Sequence, residues 1–151
     1  MYAVDEQDAV LSLAEIPLPD IGAPMPRISA NEHEASVTYF IRGDSDKEAT
    51  VTFSGLRVIT SGPPNDEAFE GHPLSARGLA AYGAYEVERS SWIRSLERMN
   101  RVHPFHRPEA FDALRHFVIS FHDTTLECIA ENVTCAAEAE QASGALGIHH
   151  P

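Results

Sequence analysis

The 151 residues carry 23 acidic and 11 basic side chains, a formal net charge of −12, and a chain of that length is expected to form one domain with a core of its own. No basic run exists to neutralise phosphates, so nucleic acid is excluded as a partner, and a basic protein is the partner that this charge fits. No stretch approaches a membrane span, the first residues have neither a basic nor an apolar leader pattern, and Cys128 and Cys135 are too few for a disulfide framework; the expectation is a cytoplasmic protein with no membrane partner.

The first 35 residues hold seven acids and only Arg27 as a base. Residues 5–15 predict a short helix with Val10, Leu11 and Leu13 turned inward. Pro17, Pro19, Pro24 and Pro26 then deny a helix or a central strand, and an extended arm is expected. Ile16, Leu18, Ile21, Met25 and Ile28 are more apolar residues than a free linker carries, so the arm should pack on the domain. Residues 1–35 are therefore read as an acidic segment and arm, 36–133 as the core domain and 134–151 as a flexible tail.

Within the core, Val37, Tyr39 and Ile41 alternate with Thr38, Phe40 and Arg42, the period of a strand. A polar turn follows at 43–47, then a β-branched strand over 48–54, a bend at Gly55 and a continuation over 56–60; together they predict an antiparallel meander. Residues 61–73 form a long irregular loop punctuated by Gly62, Pro63, Pro64, Gly71 and Pro73, and such loops are often functional. Leu74–Ala81 suggests a helical turn and Tyr82–Glu88 another strand. Ser90 or Ser91 caps a helix through Asn100 whose Trp92, Leu96 and Met99 recur on one face and should be buried. Pro108 suits the first turn of a short helix ending near Leu114.

The clearest signal is a hairpin over 116–131. Phe117, Ile119 and Phe121 share a face, as do Leu126, Cys128 and Ala130. A loop centred on Asp123 and Thr124 pairs Phe121 with Leu126, Ile119 with Cys128 and Phe117 with Ala130, and on the other face His116 with Glu131. About six strands and two or three short helices predict an α+β fold with one mainly antiparallel sheet.

The strings PNDEAFEGHPL, YEVERSSWI, MNRVHPFHR and FHDTTLECIAE, with IGAPMP in the arm, resemble a family of uncharacterised small bacterial proteins. They cover about half of the chain. The resemblance implies a coherent domain and carries no reaction with it.

Three chemistries compete on the residues themselves. His72, His103, His106, His122 and Asp123 are ligand types for a divalent metal, with His103, His106, His122 and Asp123 the nearest to a set. HxxH across a proline is a weak pattern, and capping or solvated histidines are the commoner outcome. Cys128 lies near His122, but the alternation buries it among apolar residues, where a thiol is inert. Asp66, Glu67, Glu86 and Glu88 could act as acid and base, although Asn65, Asp66 and Glu67 read more simply as turn caps. The favoured reading is a non-catalytic binding module without a cofactor, of the immunity type by analogy of size and charge, with Asn65, Asp66, Glu67, His72, His103, His106, His122 and Asp123 as its candidate surface. The alternative is a small metal-dependent hydrolase using the loop histidines.

Overall fold

The computed structural model describes residues 2–22 and 26–139. Nine strands form two antiparallel sheets. The strands are β1 (Ala9–Ser12), β2 (Arg27–Ala30), β3 (Glu34–Ile41), β4 (Asp44–Ser54), β5 (Val58–Gly62), β6 (Ala84–Glu88), β7 (Arg115–Ser120), β8 (Thr125–Ala130) and β9 (Asn132–Ala139), and α1 (Ser91–Asn100) follows β6. One sheet has the order β1-β6-β7-β8-β5 and the other β2-β3-β4-β9. Short 3₁₀ turns occur at Phe69–Gly71, Ser75–Arg77 and Pro108–Phe111.

The α+β expectation is therefore corrected to a mainly β fold of two sheets with one α-helix among the described residues. The three strands that the sequence pattern does not announce are β1, β2 and β9, and all three are edge strands. An edge strand pairs on one side only and buries less, so its alternation is weak; β2 is exposed throughout. The helix expected over 5–15 is instead β1, whose Val10 sits opposite Val87. Isolated helices this short are marginal in water, and an open sheet edge offers its backbone partners at once. The arm does lie on the domain: Ile16 is buried and Pro19 bridges to Ile41, although Leu18, Ile21 and Ile28 are exposed. Residues 134–139 of the expected tail belong to β9 and pair with β4. Met25 and residues 140–151 lie outside the described residues.

The core sits between the sheets. Ala35, Val37 and Tyr39 of β3 and Ala49, Val51 and Phe53 of β4 face Phe117, Ile119 and Phe121 and, from β8, Leu126, Cys128 and Ala130. The rings of Phe53 and Phe117 pack with centroids 5.3 Å apart. Each fully buried Val, Leu, Ile or Phe among them stabilises by about 1.5–3 kcal/mol.

The expected meander is also corrected. After β4 the chain turns at Gly55, and β5 leaves that sheet to pair with β8. Gly55 has φ +65°, and a Cβ there would meet the Glu131 side chain at 2.7 Å. Positive φ and close approach both require glycine.

The hairpin exists, but its register differs by two residues from the expected one. Ile119 pairs with Leu126, Phe117 with Cys128 and His116 with Ile129. The loop is Phe121–Thr124, closed by the Phe121 N–H to the Thr124 carbonyl at 2.8 Å, so it is centred one residue earlier. A two-residue slip keeps every side chain on its face, which is why the faces were predicted correctly and the partners were not. Glu131 consequently meets Arg57 (3.0 Å) rather than His116.

Both faces of β7 and β8 are buried. The face away from the core is covered by α1, the segment 69–79 and residues 2–10; Phe69, Leu74, Leu79, Tyr85, Val87 and Val118 form a second apolar cluster there, with Tyr2, Val4 and Val10 packed against it. That cover is what buries a polar group in the middle of the sheet.

Candidate functional site

Glu127 points from the centre of β8 into this second layer, and its side chain is 4% exposed. Three donors reach it. The Leu74 N–H donates to His72 Nδ1 at 3.0 Å, so the proton of that ring sits on Nε2, which donates to Glu127 Oε2 at 2.9 Å. His116 Nε2–H donates to Oε1 at 2.9 Å, while its Nδ1 faces Ser90 Oγ at 2.8 Å. The Tyr2 hydroxyl donates to Oε1 at 2.5 Å.

Local structure explains each arrival. His72 follows the 3₁₀ turn Phe69–Gly71, stacks on Phe69 and is buried. Ser90 caps α1, its Oγ accepting the Ile93 N–H at 3.3 Å, and the same oxygen orients His116. Tyr2 is delivered by a strap laid along α1. Asp8 accepts the Ser91 N–H at 2.6 Å, and Asp5 forms a two-pronged pair with Arg94 at 2.7 and 2.8 Å. The Tyr2 ring then stacks on Trp92, centroids 5.1 Å apart and planes 14° from parallel.

The electrostatics follow from these contacts. Burial alone would raise the Glu127 carboxyl, but the hydrogen bonds from His116, His72 and Tyr2, with the charge of His116, outweigh it and hold the group down at about 2. Tyr2 is pushed far up, first by burial and then by the Glu127 charge, and keeps its proton. Burial also raises the Cys128 thiol well above its ordinary value, which removes it as a nucleophile.

Beside this group lies an open cavity of about 570 Å³. Glu127, Tyr2, Trp92, Leu96, Met99 and Pro63 line it, with small polar residues including Ser61, Ser95 and Thr125. Trp92, Leu96 and Met99 were expected to form a buried helix face; Met99 is 69% exposed. That face borders a cavity instead of a packed core, so the helical spacing was right and the burial was not.

The expected site residues divide into three places. His122 and Asp66 meet at the surface with Tyr82: the Tyr82 hydroxyl contacts Asp66 Oδ2 at 2.5 Å and His122 Nδ1 at 2.7 Å. Asp123 stands 3.8 Å from His122 Nε2. His106 pairs with Glu97 at 3.2 Å and Asn100 at 2.9 Å, and His103 Nδ1 accepts the Phe105 N–H. His72 is in the interior. Asn65 is a turn cap, accepting the Ala68 N–H at 2.9 Å, and Glu67 is exposed. The loop histidines therefore do not converge. Among the described residues, no group of three or more His, Cys, Asp or Glu is arranged to hold a metal ion. His72 and His116 each aim an N–H at the carboxylate itself, not at a shared vacant point.

Glu127, His116, Tyr2 and Trp92 are the site residues that the sequence reading missed. A signal existed for two of them: His116 and Glu127 share a strand face with Val118 and Ile129, an acid and a base set into an otherwise apolar surface. Tyr2 had none, because its place depends on contacts from Asp5 and Asp8 to a helix more than 80 residues away in sequence. No protein-family model matches the chain, and neither a curated protein nor a solved structure is significantly similar to it. Among the described residues no helix is long and apolar enough to cross a membrane.

Proposed function

We propose that the protein is a non-catalytic binding module and that the cavity beside Glu127 takes a small organic molecule. The observation that carries the reading is a pocket of about 570 Å³, mostly apolar at its walls, with one fixed carboxylate on its floor. Ligand pockets have this size and this composition of apolar lining with a few placed polar groups.

The chemistry of the floor favours binding over turnover. A general base or acid works best with a pKa near the operating pH, whereas Glu127 is held at about 2. Ser90, His116 and Glu127 do stand in a hydroxyl–imidazole–carboxylate row, the order of parts in a serine hydrolase. Yet Ser90 Oγ accepts the helix-capping N–H of Ile93, is 3% exposed, and belongs outside the cavity that Glu127 lines. The row supports a structural role, with Ser90 orienting His116 and His116 orienting Glu127.

A basic protein partner of the immunity type draws on net charge alone; the pocket is the more specific feature and takes precedence. A cytoplasmic location belongs to the same proposal, supported by Cys135 as an exposed free thiol. Trp92 is the sole tryptophan and lines the cavity, so its fluorescence reports occupancy. A panel of fragment-sized molecules should include members that quench or shift Trp92 emission saturably and raise the melting temperature. A panel without one such member at millimolar concentration overturns the reading.

A further inference from the structure

We infer that the ligand of this cavity is an organic cation, an amine or similar nitrogen base carried on an apolar or aromatic body. The inference rests on the pocket reading given above and adds the ligand's chemical class.

Four observations converge on it. First, an ionised carboxylate offers about four acceptor positions. Tyr2 and His116 occupy two on Oε1 and His72 occupies one on Oε2. One position on Oε2 is left without a partner among the described residues, and Glu127 lines the cavity.

Second, among the described residues no lysine or arginine reaches the carboxylate, whose partners are Tyr2, His72 and His116. His72 takes the Leu74 N–H on Nδ1 and so is a neutral imidazole when it donates from Nε2. Tyr2 is a neutral donor. The Ser90 hydroxyl at 2.8 Å from His116 Nδ1 holds that ring in place.

Third, among the described residues Glu127 is the single charged one that lines the cavity, and neither lysine nor arginine is among them. An anionic ligand would meet a negative floor in a partly desolvated site, where charge interactions are stronger than in water. A cationic ligand would meet its complement, and the net charge of −12 attracts it from solution.

Fourth, the cavity wall carries the stacked pair Tyr2 and Trp92. Aromatic faces attract cations as well as apolar groups, and Leu96, Met99 and Pro63 supply the surface for an apolar body. The ligand thus has two ends: a donor nitrogen at Glu127, and a hydrophobic part toward the exposed Met99.

The test compares three probes of one shape on the intact chain: phenethylamine, the neutral 2-phenylethanol and the anionic 3-phenylpropionate. Trp92 fluorescence gives the affinity. The amine should bind at least tenfold more tightly than the alcohol, and the carboxylate should not bind. Glu127→Gln should reduce the amine's advantage over the alcohol to less than threefold. Because that variant alters a buried group and could fail to fold, Ser95→Phe serves as the second. Ser95 is exposed and lines the cavity, so a larger side chain there should block the amine with the fold intact by circular dichroism. Equal binding of amine and alcohol, or amine binding untouched by Ser95→Phe, overturns the inference. The first of these results leaves the pocket reading standing. If neither these probes nor any fragment of the panel binds, the pocket reading itself falls.

Discussion

Tyr2, His72, His116 and Glu127 form in the interior nearly what Tyr82, His122 and Asp66 form at the surface: a carboxylate receiving a phenol and an imidazole. The partners are alike and the distances are similar, 2.5 Å for each tyrosine to its acid. The surroundings differ. The imidazoles around Glu127 are fully buried, whereas the His122 side chain is 52% exposed. Water can replace any partner of Asp66 within its own hydrogen-bonding network. The partners of Glu127 are harder to replace, because its side chain is 4% exposed and water reaches it only from the cavity. The same three functional groups are thus a rigid fixture in one place and a solvated contact in the other, and burial makes the difference.

The comparison breaks most visibly on deletion of the acids. Glu127→Ala strands two imidazole N–H groups and a phenol in a low-dielectric layer. Each buried unsatisfied donor costs ~1–3 kcal/mol, and loss of one member of a buried charged group typically costs ~3–5 kcal/mol. Urea unfolding should show a loss of that size, while Asp66→Ala keeps a midpoint close to the parent protein. Similar losses from the two substitutions would show that burial does not separate the clusters.

Acid sharpens the same contrast. A carboxyl held at about 2 in the fold, against an ordinary value of 4.5, stabilises the fold while it is ionised. Its contribution is whole above the unfolded value and drains away as pH falls from about 4.5 toward 2. The shift corresponds to stability on the order of 3 kcal/mol. Glu127→Gln should flatten this acid limb, and an unchanged slope in the variant would contradict the assignment.

Tyr2→Phe is milder. It keeps the ring on Trp92 and removes one of the three donors, and a hydrogen bond to a charged acceptor is worth ~1.5–3 kcal/mol. The expected loss lies in that range and below that of Glu127→Ala, with the Trp92 emission maximum retained. A large red shift of that emission would mean that the strap detaches as a whole and that the hydroxyl is not the element being measured.

How far the sequence foretold these two clusters depends on range. Alternation over 116–131 gave both faces of the hairpin, because one buried face fixes side-chain direction. It left the register open by two residues, since Phe117 opposite Cys128 and Phe117 opposite Ala130 are equally apolar. The exposed cluster was half legible: His122, Asp66 and Asp123 were all candidates, and the link from the Asp66 N–H to the His122 carbonyl brings their loops together at 3.0 Å. Tyr82, at φ 58°, was read as the start of a strand. The buried cluster was scarcely legible beyond His72. Composition treats Glu127 as one more acid, and its burial follows only once α1 and the strap cover a sheet face that an open sheet would leave in water. The α+β expectation failed for a related reason: β1, β2 and β9 become strands by finding an edge, and short-range pattern does not encode that edge.

The smallest effect belongs to the surface cluster and is read as a titration. Asp66 hydrogen-bonds the Tyr82 hydroxyl, and that bond, with lesser contributions from burial and the Asp66 charge, pushes the phenol up to about 12 from 10.0. A group whose folded value is raised stabilises the fold in its protonated form. The contribution is complete below the unfolded value and is lost as pH rises through about 12. Near neutrality the Tyr82 contribution is therefore already whole and constant. Asp66→Asn keeps an oxygen that can accept from the hydroxyl but removes the charge that opposes a phenolate. The Tyr82 titration, followed by NMR on ring-labelled tyrosine, should move down toward its ordinary value, and the ring signals of Tyr2, which keeps its proton, should not move with it. A Tyr82 value that stays near 12 in the variant would remove Asp66 as the cause. Movement of Tyr2 together with Tyr82 would mean that the two clusters are coupled through β7 and β8, and the contrast between an insulated interior group and a solvated surface group would fail.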